Sequence, residues 1–187
     1  MHFTPDTEDT LRFLVALGNT APGASRSGDD ELSTPADLTA LVDEHGYTGR
    51  FDRDAAELSS VLRVRDELRA LWTLPRDDQV AEINRWLREV DALPVLVRHD
   101  RFDWHLHATV ADAPLADRMR AEGALALAEV VRARATDRMR VCAAHDCAGL
   151  LLDQSRNGSK RFCSVRCGNR VNQQGFRERM GADDVAE

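Results

Sequence analysis

The chain has 187 residues, 43% hydrophobic and 30% charged, with a formal net charge of −7. That is enough apolar content for one good core plus a small appendage. No apolar run approaches the ~20 residues that cross a bilayer, and Met1 to Pro5 has neither a basic nor an apolar signal region, so a soluble, cytoplasmic protein without membrane contact is expected.

In chain order, Thr7 to Gly18 carries Leu11, Leu14 and Val15 at helical spacing, with Asp6 or Thr7 as the cap. Ala21 to Glu31 is rich in Gly, Ser and Asp and reads as a flexible loop. Thr34-Pro35 starts a second helix with proline at its first position, Leu38, Leu41 and Val42 facing inward, and Gly46 as the stop. Asp52 or Asp54 caps a long third helix that ends before Pro75. A fourth, Asp78 to Val90, buries Val80, Ile83 and Leu87, with Asn84 and Trp86 off that stripe. Val95-Leu96-Val97, a turn at His99-Asp100, and Phe102 to Val110 read as a β-hairpin. Pro114 opens a last long helix, with Leu115, Met119, Leu125, Ala128 and Val131, which leads to Arg138.

Within the hairpin, alternation puts His105 and His107 on one strand face, opposite Trp104 and Leu106. His-x-His on a strand can bind metal, with His99 or Asp103 as a third ligand. The plainer expectation is a polar, partly exposed strand face. No phosphate-binding glycine loop, nucleophile elbow or metalloprotease helix is present, so nothing in the sequence supports an enzyme.

The densest chemistry lies between Val141 and Met180. All four cysteines fall there: Cys142 and Cys147 with four residues between them, Cys163 and Cys167 with three. Asn157-Gly158 is a strong hairpin-turn signal, placed between Leu150-Leu151-Leu152 and Ser159 to Phe162. The first cysteine pair is thus expected to open a hairpin and the second to close it. Ser164 to Met180 follows as a helix, with Cys163 and Cys167 sharing its first turn. A thiol loop, a hairpin and a helix carrying two more thiols is the treble-clef way to build a tetrahedral sulfur site. Zn²⁺ held by four thiolates is structural rather than catalytic, and it supplies folding energy that some forty residues lack alone. Two disulfides would use the same cysteines, but the paired spacing without a secretory signal points to metal. His145, inside the first loop, is the alternative fourth ligand.

Charge is concentrated on the same stretch. Arg138 to Met180 holds nine basic and three acidic residues, about +6, which leaves about −13 for the rest of the −7 chain. Four thiolates and one Zn²⁺ reduce the +6 to about +4. Arg166, Arg170, Gln173 and Arg177 lie within about 60° on the helix. Arginine and glutamine can read guanine and adenine edges in pairs of hydrogen bonds, while Arg156, Lys160 and Arg161 are placed to grip phosphates. Val165 and Phe176 form a separate apolar strip on this helix.

Asp153-Gln154-Ser155-Arg156-Asn157-Gly158, Phe162-Cys163-Ser164 and Cys167-Gly168-Asn169-Arg170 together resemble the CGNR zinc finger, named for that last tetrapeptide. The spacing Ser164-Val165-Arg166 is one residue shorter than in many members. In that family the finger ends a bacterial protein whose larger N-terminal part is the ABATE domain, and Leu14 to Thr20 resembles the start of that domain. The resemblance implies structural zinc, DNA as partner and a role in regulating transcription.

The expected fold is therefore mostly α, within α+β: a helical domain with a small β-hairpin, then a small treble-clef-like zinc finger. The expected divisions are 1–135 for sensing or dimerisation, 136–180 for the finger, and a disordered tail at 181–187. A second copy of the chain and an unidentified small-molecule effector are the partners foreseen for the first part. The competing readings are a zinc-stapled protein- or RNA-interaction module, and an enzyme with its pocket in the N-terminal domain.

Overall fold

The computed structural model describes residues 3–99 and 102–183, and side chains as far as Gly175 together with Arg177. The expected contributions of Asp100 to a turn and of Phe176 to an apolar strip lie outside the described residues; of the tail expected at 181–187, residues 181–183 instead continue the last helix and 184–187 lie outside the described residues.

Among the described residues, six α-helices and two short antiparallel hairpins are arranged in the order α1 (Pro5–Gly18), α2 (Pro35–Glu44), α3 (Ala55–Trp72), α4 (Arg76–Glu89), β1 (Val95–Val97), β2 (His105–His107), α5 (Leu115–Arg132), β3 (Met139–Val141), β4 (Leu150–Leu152) and α6 (Val165–Asp183), with one 3-10 turn at Thr136–Arg138. The fold is mostly helical and α+β, as expected. Local chemistry sets the helix ends. Thr34 and Asp37 form a reciprocal capping box at α2, with Pro35 at its first position. Asp54, not Asp52, caps α3 by accepting from the Glu57 N–H at 2.8 Å. Helix α1 begins earlier than its apolar spacing suggests, because Pro5 fits the first helical position and Thr4 precedes it.

Helix α5 is the hub and packs against α1, α3 and α4. Gly123 permits the approach, since a Cβ there would stand 3.2 Å from Leu14 and 3.4 Å from Trp86. Trp86 is fully buried, so the core face of α4 is Gln79, Ile83 and Trp86. That face is rotated from the expected one: Val80 and Leu87 lie at its half-buried edge.

Two buried arginines fasten the loops. Arg118 donates to the backbone carbonyls of Thr48, Arg50 and Ala113. Arg65 holds both Asp30 oxygens, at 2.6 and 2.9 Å, and the Thr20 hydroxyl at 3.2 Å. The 21–31 segment, polar enough to read as a flexible loop, is thereby fixed to α3 by a partner 35 residues away. The hairpin β3–β4 joins the same core, with Met139, Leu150 and Leu152 packed among the helices.

Candidate metal centre

The strand pair Met139–Val141 with Leu150–Leu152 differs from the expected hairpin. Its connecting loop, residues 142–149, carries the first cysteine pair, so these thiols sit within the hairpin turn. Asn157-Gly158 does not join two strands. Only Gly158 of the two has positive φ, +63°, whereas a type I′ turn needs both. Instead, residues 153–160 wrap around Asp153, whose side chain is wholly buried. Its carboxylate accepts from the Ser155 N–H and hydroxyl, from the Lys160 N–H at 2.9 Å and from Arg140 at 3.2 Å. Burial alone would raise this carboxyl, but the hydrogen bonds outweigh it and hold Asp153 below the usual carboxylate range. Arg138 and Arg140 complete the loop by donating to the carbonyls of Asp153, Ser155, Gly158 and Lys160. Both were counted only as charge in the sequence, and both are spent on structure.

The loop returns the chain to α6, where the Ser164 hydroxyl accepts from the Cys167 N–H at 3.2 Å. This places Cys163 and Cys167 beside the hairpin turn. Sγ of Cys163 is 3.6 Å from that of Cys147 and 3.7 Å from that of Cys167. These are not disulfide distances, which are ~2.05 Å. Tetrahedral Zn²⁺ with bonds of ~2.3 Å holds its sulfurs about 3.8 Å apart, so the four thiols of Cys142, Cys147, Cys163 and Cys167 fit one zinc ion. His145 is exposed and outside the cluster. Burial and the other thiols push Cys163 far above the ordinary thiol range. Four thiolates can coexist there only around a cation.

The surroundings suit that charge. Gly149 N–H points at Cys147 Sγ (3.4 Å) and Cys163 N–H at Cys142 Sγ (3.5 Å). Gly149 leaves no room for a side chain: a Cβ would meet the sulfurs of Cys163 at 2.8 Å and Cys147 at 3.2 Å. Within the Cys-Gly-Asn-Arg tetrapeptide, Gly168 lies under Phe162, with 3.3 Å for a Cβ. Arg170 pairs with Asp146 at 2.7 Å and reaches Cys167 Sγ at 3.7 Å, tying α6 to the first thiol loop.

Residues 11–153 match the family model described as "Putative stress-induced transcription regulator", ABATE. The chain belongs to the ABATE family. Residues 138–180 match the CGNR zinc finger. The two matches overlap at 138–153, where β3 and β4 serve both the helical core and the metal loop. No curated protein matches the chain. An ABATE protein carrying a four-cysteine CGNR finger is thus a zinc-binding protein, with the metal structural because its four protein ligands close the site.

The other residues read as nucleic-acid contacts divide into two groups. Arg156, Lys160, Arg161, Gln173 and Arg177 are exposed. Arg166 is exposed but donates to the Arg26 carbonyl at 2.6 Å, and Arg170 is half-buried in its pair with Asp146. Among the described residues, no helix is long and apolar enough to cross a membrane.

Proposed function

We propose that this ABATE protein regulates transcription by binding duplex DNA through its zinc module. The observation that carries the reading is the exposed set Arg156, Lys160, Arg161, Gln173 and Arg177 on one small module, in a chain whose remainder is strongly acidic. Lys160 and its neighbours in the 153–161 loop engage phosphates, and Gln173 and Arg177 on α6 reach base edges. Arg166 joins them when it leaves the Arg26 carbonyl. Arg170 serves mainly to hold the metal loop, and the helical domain receives the regulatory signal.

The test is fluorescence anisotropy of the full chain with duplex fragments across a salt series. With about four or five phosphates neutralised, log K falls against log[salt] with a slope of about −4. Lys160→Ala should weaken all sequences alike and reduce that slope by about one, whereas Gln173→Ala should cost about 1–3 kcal/mol on a preferred sequence alone. Binding that is independent of salt, or stronger for single strands than for duplex, would overturn the proposal.

A further inference from the structure

The helical domain holds a second convergence of ligating atoms, apart from the zinc module. Strand alternation places His105 and His107 on one face of β2. The β1–β2 register sets His105 opposite Val97, and His99, two residues beyond Val97, arrives beside it. Nε2 of His107 lies 3.1 Å from Nε2 of His99 and 3.1 Å from Nε2 of His105. The three rings are inclined to one another by 63–82°, as ligands around one centre are. A tetrahedral ion with bonds of ~2.0–2.1 Å to nitrogen would hold those atoms about 3.3–3.4 Å apart.

Proton placement favours an ion over hydrogen bonds. His105 Nδ1 lies 2.8 Å from the Asp103 carbonyl. A carbonyl only accepts, so neutral His105 carries its proton at Nδ1 and turns the Nε2 lone pair inward. Nε2 of His107 then either donates to His105 or accepts from His99. It cannot do both, and one 3.1 Å contact is left without a proton between its nitrogens. A cation at the centre satisfies all three lone pairs.

The strand is also turned against its apolar pattern. His105 is 8% exposed, while Trp104 is 63% and Leu106 46% exposed. The imidazoles line a cavity of about 640 Å³ that also takes in Asp6, Tyr47 and Glu122. The Tyr47 hydroxyl is buried there beside the Glu122 side chain. Asp6, Asp9 and Glu129 line it against one arginine, Arg132, an acidic balance that favours a cation.

We propose that His99, His105 and His107 form a second metal site, for a divalent transition ion of the Zn²⁺ class, with one coordination position open to this cavity. Imidazole ligands select such ions over Mg²⁺ and Ca²⁺. Three protein ligands leave the fourth place to exchangeable water or a small ligand, unlike the closed four-thiolate site.

The test uses the full, untagged chain carrying one equivalent of zinc in the finger, titrated with Co²⁺. The wild type should take up one further equivalent, with the visible ligand-field bands of a nitrogen site and without the near-ultraviolet sulfur-to-cobalt band. His105→Ala should abolish this uptake. His99→Ala, which lies outside both strands, should weaken it at least ~100-fold with an unchanged circular dichroism spectrum. No second equivalent in the wild type, or His99→Ala binding it as tightly as the wild type, would overturn the proposal.

Discussion

Asn19 joins the metal-bearing hairpin to the helical core, and replacing it by alanine should destabilise both together. Its side chain acts as a neighbouring strand would. Nδ2 donates to the Leu150 carbonyl at 3.0 Å, and Oδ1 accepts from the Leu150 N–H at 2.6 Å. Leu150 is 1% exposed, so Asn19→Ala strands one donor and one acceptor away from water. Each such group costs about 1–3 kcal/mol. Asn19 is half-buried, and partial wetting of the gap brings the expected total to about 3 kcal/mol. That is a large share of the ~5–15 kcal/mol typical of a domain, and corresponds to about 6–12 °C in Tm for a chain of this size.

Urea unfolding followed by far-ultraviolet circular dichroism measures the loss. Zinc release to a chromogenic chelator, followed in the same samples, reports the finger. Leu150 lies in the core and in the strand leaving the metal loop, so both midpoints should fall together. Three further bonds reinforce the joint: Arg69 to the Ala148 carbonyl (3.0 Å), Trp72 to the Arg140 carbonyl (3.2 Å), and Ala148 N–H to the Gly23 carbonyl (2.9 Å). A helix midpoint within about 0.5 kcal/mol of wild type, or zinc released early from an unchanged core, would refute the reasoning.

Three other outcomes are expected. Gly149→Ala should leave less than half an equivalent of zinc after purification without chelator, because its Cβ would press on two ligand sulfurs; elemental analysis checks it. Arg170→Ala and Asp146→Ala should each lower zinc affinity about 10-fold in a chelator competition, since either change breaks the tie between α6 and the first thiol loop; unchanged affinity in both would return Arg170 to the DNA-reading set. The Arg65 guanidinium holds Asp30 below its ordinary value of 3.8. Its stabilisation is therefore complete above the unfolded value and is lost as pH falls through the folded one. The stability gap between wild type and Asp30→Asn, measured by urea unfolding, should be constant near neutrality and narrow from about pH 5 downward.

The metal centre was legible in the sequence because thiol spacing constrains geometry directly. Four cysteines in two close pairs, the second on a helical turn, leave few ways to converge. The supporting frame was less legible. Asn157-Gly158 signals a turn, but whether strands flank it depends on competing partners. Here Asp153 takes the Ser155 and Lys160 N–H groups, and Leu150–Leu152 pairs backward with Met139–Val141. The Asp153-Gln154-Ser155 sequence, an Asx-turn pattern, was the local sign of that outcome. Asn19 with Leu150 and Arg65 with Asp30 gave no local sign, since 131 and 35 residues separate the partners.

The histidine strand marks the other limit of pattern reading. Alternation identifies the two faces of β2 but does not say which turns inward. Apolar preference puts Trp104 and Leu106 inside, and the structure does the reverse. Burying His105 and half-burying His107 in place of a tryptophan and a leucine forfeits apolar burial and dehydrates polar nitrogens. A fold sustains that loss where the buried groups have a partner. A cation bound at their shared centre supplies one, so the inversion itself is an argument for the second metal site, independent of the distances between its nitrogens.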